Sequence, residues 1–134
     1  MNSVRVTAIA CLMPLAGLDD DPFLVDDHGQ HAMCAQWAQA RDYELTCRLS
    51  VHRLRADHTT LWQDVAAGLV DVFIAPNRRT LENAIASADE FSARCAAAGV
   101  RLETADYDEP VYTTAMRSHV HRRLSMPTAG YHGC

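Results

Sequence analysis

ADHTTLWQDVAAGLVDVFIAPNRRTL, residues 56–81, is the stretch on which the reading of the fold turns. From Thr59, the apolar residues Leu61, Trp62, Val65 and Ala66 recur at helical spacing, which predicts an amphipathic helix. Gly68 closes it, because glycine enters the left-handed conformation of a helix C-terminus without a Cβ clash. Leu69 to Ala75 is then apolar throughout except for Asp71. A strand without a polar face must be covered on both sides, as a central strand of a parallel sheet is. Pro76 stops it, and a new helical pattern opens near Thr80.

Downstream, Leu81, Ile85, Ala88, Phe91 and Cys95 stay in helical phase, predicting one helix from about Thr80 to Ala98. Gly99 caps it, and Val100 to Thr104 reads as the next strand. Upstream, Val4 to Leu12 is β-branched and apolar, a buried first strand ended by Pro14 and Gly17. Residues 15–29 are an acidic loop punctuated by Gly17, Pro22 and Gly29. Gln30 to Arg41 predicts a helix with Met33, Cys34, Trp37 and Ala38 on one face. Tyr43 to Val51 predicts a strand alternating Leu45, Cys47, Leu49 and Val51 against polar neighbours. Strands separated by helices point to an α/β fold in three layers: a mostly parallel sheet of at least four strands, 69–75 central, with helices on both faces. Residues 1–112 form this domain. Residues 113–134 follow as a short helix over Thr113–Leu124 and a mobile tail beyond Pro127.

With 134 residues, 49% of them hydrophobic, the chain fills one substantial core. No apolar run approaches the roughly 20 residues that span a bilayer, and MNSVRV lacks the layout of a signal peptide, so a cytoplasmic protein without membrane contact is expected. Cys11, Cys34, Cys47, Cys95 and Cys134 are odd in number and form no CxxC pair, which favours reduced core thiols. The net charge of −5 is concentrated at Asp19, Asp20, Asp21, Asp26 and Asp27. A nucleic-acid binder normally carries a basic surplus. Only Arg117, Arg122 and Arg123 offer one here, so any DNA contact is expected to be weak.

Residues 56–81 run through a charged entry, a helix, a glycine turn, a "VDVF" strand and an Asn-Arg turn. FSARCAAAGVRLETA (91–105) adds a helix-to-strand passage, and QHAMCAQWAQARDYEL (30–45) an earlier helix. Together they resemble the catalytic domain of the small serine recombinases, the resolvase and invertase family. The resemblance implies a serine nucleophile at the end of the first strand, in a Tyr-x-Arg-x-Ser pattern, with arginines neutralising the phosphoryl transition state. At the matching positions Cys11 replaces the arginine and Met13 the serine. A thioether has no proton to lose and cannot serve as this nucleophile. His58 stands for the arginine entering the second helix, Asn77 for an aspartate, and Leu81 for another arginine. Only Arg78 is retained, and one guanidinium does not replace a cluster. The set Cys11, Met13, His58, Asn77, Arg78 and Leu81 is therefore a degenerate family site with no catalytic residue. The family's long dimerising helix is reduced to about a dozen residues, and its helix-turn-helix module has no counterpart here.

The expectation is a non-catalytic, recombinase-like protein that acts as an interaction or regulatory module, by self-association or by binding another protein. Met116, Val120 and Leu124 are the apolar stripe expected at a homodimer contact. One alternative is a DNA-associated accessory factor of a recombination system. Another is an enzyme with a repurposed cleft around Cys11, His58 and Arg78. Arg78 and Arg79, at a helix start, are candidates for anion binding. His28-x-x-His31-x-x-Cys34 has a spacing that suits zinc, but Cys34 falls on the apolar helix face and no fourth ligand is evident. Neither a metal nor a cofactor is expected. Trp37 and Trp62 read as core.

Overall fold

Four residues of the first strand, Val6, Ala8, Ile9 and Cys11, feed two separate cores, and this alternation sets the architecture. A computed structural model describes residues 3–12, 24–25, 28–107 and 121–122. In chain order the elements are β1 (Arg5–Cys11), β2 (Leu24–Val25), α1 (His28–Ala40), β3 (Glu44–Val51), α2 (Thr59–Ala66) and β4 (Val72–Ala75). There follow α3 (Arg78–Ala84), α4 (Ala88–Ala98), β5 (Arg101–Thr104) and β6 (His121–Arg122). Four strands form one sheet in the order β3-β1-β4-β5, with every pairing parallel. The chain moves from β1 outward to β3, then returns to β4 on the other side of β1, as in a doubly wound sheet. All four residues of β4 are buried, and the strand is central, as its apolar run predicts.

Val6 and Ala8 of β1 join Val72 and Ile74 of β4 in a core with Cys34 and Ala38 of α1. Ile9 and Cys11 join Phe73 and Ala75 in a larger core with Leu61, Leu81, Phe91 and Cys95, from α2, α3 and α4. Successive strand residues face opposite sides, so one helix layer covers each face. In the larger core, the Phe91 ring lies 5.1 Å from Phe73 and 5.7 Å from Trp62, centroid to centroid, a packed aromatic trio. Among the described residues no helix is long and apolar enough to cross a membrane.

The structure departs from the sequence reading at four points. The helix expected over 80–98 is two helices. Ile85 is extended (φ −110, ψ 129) and forms a parallel bridge with Leu54, fixed by Ala86 N–H to Leu54 O at 2.7 Å. Ser87 then caps α4 by accepting from Glu90 N–H at 3.3 Å. The expected positions are nonetheless all buried: Leu81, Ile85, Ala88, Phe91 and Cys95.

The second departure is in β3. Val6 pairs with Leu45 but Thr7 pairs with Cys47, so Thr46 is an extra residue. Its hydroxyl donates to Val6 O at 3.3 Å. Such a bulge reverses which side each later residue faces. Leu45 accordingly packs on the α1 side, whereas Cys47, Leu49 and Val51 pack on the other. The single alternation read from the sequence is in fact two, out of phase.

Third, β2 lies within the expected loop, and His121–Arg122, expected to be helical, is extended and pairs antiparallel with Leu24–Val25. A short helix with one apolar stripe is marginal without a packing partner, and here a strand ladder satisfies these backbone groups instead. The rest of 113–134 lies outside the described residues. Fourth, Cys11, Cys34 and Cys95 are free and buried, as expected of core thiols, but Cys47 is disulfide-bonded.

Candidate functional site

In doubly wound sheets, ligands bind outside the carboxyl ends of the strands, where the strand order reverses. Here that place lies between the ends of β1 and β4. Residue by residue, the positions carried over from the recombinase resemblance do not assemble there into a polar centre.

Cys11 ends β1 with 1% of its surface exposed, its side chain in the same core cluster as Leu81, which is fully buried. Its backbone is held by Gln30 of α1. The amide Oε1 accepts from Cys11 N–H at 2.8 Å, and Nε2 donates to Cys11 O at 3.0 Å. Leu12 is also buried, its N–H bonded to Val51 O at 2.9 Å. Met13 lies outside the described residues.

Asn77, which the resemblance sets against an aspartate, caps α3. Its Oδ1 accepts from Thr80 N–H at 2.8 Å, the Thr80 hydroxyl accepts from Asn77 N–H at 3.1 Å, and its Nδ2 donates to Tyr107 O at 2.8 Å. Tyr107 N–H donates to Pro76 O, and Ala105 N–H to Ala75 O. The segment after β5 therefore closes over the end of β4, and Asn77 fastens it.

Arg78 turns away from the sheet. Its Nε lies 3.1 Å from Glu82 and its Nη2 2.9 Å from Asp89, tying the start of α3 to the start of α4. Two other acidic side chains have partners of their own. Asp57 pairs with Arg55 at 3.0 Å, and Asp71 accepts from Arg5 N–H at 2.9 Å. Arg79 is exposed on the same short helix. His58 precedes α2, half-buried, with no side-chain cap on that helix. The dimer-contact candidates Met116, Val120 and Leu124 lie outside the described residues.

The His28-x-x-His31-x-x-Cys34 spacing disperses in space. Cys34 is buried with its thiol 3.8 Å from Ile74 O, and burial pushes that thiol up to about 12. His31 Nε2 lies 2.8 Å from Ser50 Oγ, and His28 is exposed. No group of three His, Cys, Asp or Glu side chains among the described residues is placed to hold a metal ion.

Two polar assemblies have no signature in the sequence. One surrounds Glu103 on β5, which accepts from Trp37 Nε1 at 2.9 Å and Tyr43 OH at 2.8 Å and faces Arg41 at 3.6 Å and Arg101 at 3.5 Å. The hydrogen bond to Glu103, followed by desolvation, raises the Tyr43 phenol above its ordinary value. Arg41 lies 3.4 Å over the Trp37 ring. The other surrounds His31 and Arg48, where the bulge turns the polar residues of β3 toward α1. Neither is reached by counting residues, because each joins side chains from different elements.

Comparison of the chain with protein-family models, with curated proteins and with solved structures finds no match.

Proposed function

We propose that this chain is a non-catalytic, recombinase-like domain that serves as an interaction or regulatory module, by self-association or by binding another protein. One observation carries the reading: four of the six positions to which the resemblance would assign phosphoryl-transfer chemistry serve stability. Cys11 and Leu81 are core residues, Asn77 is a helix cap, and Arg78 is committed to Glu82 and Asp89. Transition-state stabilisation needs donors aimed at one reacting group, and none of these four is placed as such a donor. The same burial of Cys11 weighs against a repurposed cleft, since a nucleophilic thiol must be reachable.

The test is incubation of the purified chain with supercoiled DNA carrying recombination sites. No nicking, relaxation or covalent adduct is expected, and an adduct abolished by replacing any one serine would overturn the reading. Self-association through 113–124 is tested by sedimentation at tens of micromolar, where an assembly is expected. Val120→Asp, which would place an unpaired charge in the contact, should favour monomer. Salt-dependent retardation of DNA would move the assignment to an accessory DNA factor.

A further inference from the structure

Where β1 and β3 begin, beside the end of α2, the sheet opens on a hollow of about 410 Å³ whose lining includes Arg5, Glu44, Cys47, Asp64, Leu69 and Val70. Leu69 is the one large apolar side chain among the described residues that stands exposed, at 49%. Cys47 is half-buried and packs against the larger core. It is disulfide-bonded.

The second sulfur follows by elimination. The chain has five cysteines. Cys11, Cys34 and Cys95 are buried thiols outside any disulfide, which leaves Cys134. The reach of the chain permits this bond. His121–Arg122 pairs with Leu24–Val25, just before α1, whose Gln30 holds the carboxyl end of β1. Residues 123–134 span at most about 40 Å when extended, whereas all of β3, with 8 residues, is about 26 Å long. The segment is thus long enough to run from the carboxyl end of the sheet to the hollow at its amino end. SMPTAGYHGC, residues 125–134, contains no Asp, Glu, Lys or Arg, so Met126 and Tyr131 can cover Leu69 without burying a charge. We infer that this hollow is the docking site of the chain's own segment 125–134, latched by a disulfide between Cys47 and Cys134 and released by reduction. Closing the latch joins the two sulfurs. Both thiol protons and two electrons pass to an external disulfide such as oxidised glutathione, which leaves as two thiols, and a dithiol reverses the exchange.

This inference does not rest on the recombinase resemblance. The folded full chain is equilibrated with oxidised glutathione, alkylated, and digested with trypsin without reduction. The peptides 42–48 and 124–134, which hold Cys47 and Cys134, should be found joined, and should separate once a dithiol is added. On a non-reducing denaturing gel the chain should run as a monomer. Alkylated Cys47, a glutathione adduct on it, or its bond to any other cysteine, in this chain or a second copy, would overturn the inference. Docking is read separately. Chymotrypsin should cleave after Tyr131 about tenfold or more slowly in the oxidised chain than in the reduced one, as at a bond exposed only part of the time. The Leu69 methyl signals in NMR should move on reduction, and those of fully buried Ile74 should not. Cys134→Ser, kept with oxidised glutathione, should match the reduced native chain in both readouts. Leu69 signals indifferent to reduction, or a Cys134→Ser chain as protected as the oxidised native, would overturn the docking.

Discussion

Gln30 grips both backbone groups of Cys11 at once, accepting from its N–H at 2.8 Å and donating to its carbonyl at 3.0 Å. A primary amide offers an acceptor and a donor in this spacing at every pH, which a carboxyl group does only when protonated. It lets α1 hold the last residue of β1 much as a neighbouring strand would.

Gln30→Ala should leave two buried backbone groups without this partner, at a cost of about 2–4 kcal/mol. Urea denaturation should show a lower midpoint with an unchanged slope. Gln30→Glu keeps the acceptor and sets a carboxylate against a carbonyl. Burial there would raise its folded pKa, so its deficit should shrink as pH falls through the carboxyl range and widen as pH rises. Equal stability of all three proteins would show that the clasp contributes nothing.

Asn77→Ala removes the cap of α3 and the bond to Tyr107, with an expected loss of about 1–2 kcal/mol. Asn77→Asp keeps the acceptor for Thr80 N–H, so it should cost less than alanine. Thermal unfolding of the pair decides this. An aspartate variant at least as destabilised as the alanine variant would mean that the Tyr107 bond, not the cap, holds the turn.

Spectrophotometric titration should find the Tyr43 phenol above the ordinary value of about 10, chiefly because its proton is donated to Glu103. Its contribution to stability is fully present below the unfolded phenol pKa and is lost as pH rises through the folded one. The Tyr43 signal is isolated by subtracting a Tyr43→Phe titration. Glu103→Gln should bring the midpoint down, and an unmoved midpoint would exclude the hydrogen bond as the main cause.

Burial pushes the thiols of Cys34 and Cys95 up to about 12. The thiolate is the reactive form, so both should resist alkylation at pH 8 until the chain unfolds. Peptide mass spectrometry before and after denaturant is the measurement. Modification of Cys34 in the native protein at the rate of a free thiol would contradict its place under β4.

The central strand was legible because Val72–Ala75 has no polar face to expose, although it starts three residues later than the apolar run, with Leu69 exposed, and the core positions of α3 and α4 because their helical phase survives the break. The break itself was not. Leu81 to Cys95 keeps its period across Ile85, and only Ser87 with Glu90, a capping pattern, hinted at a second start. The bulge was invisible for a related reason: Leu45, Cys47, Leu49 and Val51 alternate in sequence whether or not Thr46 is paired. At the positions singled out by the resemblance the sequence showed only which residue types are present. It could not show what they do, because Arg78 finds Glu82 and Asp89 through a helix junction that no spacing rule anticipates.

Thr46 also lets β3 absorb a change of one codon. Were it deleted and Leu45 kept in register, Cys47 would follow Leu45 directly against Thr7, and Arg48, Leu49, Ser50 and Val51 would keep the sides they face now. A single in-frame deletion would thus remove the bulge and leave the inside and outside of the strand unchanged. The converse is an evolutionary route: one residue inserted on an edge strand can be taken up as a bulge without turning any later side chain over.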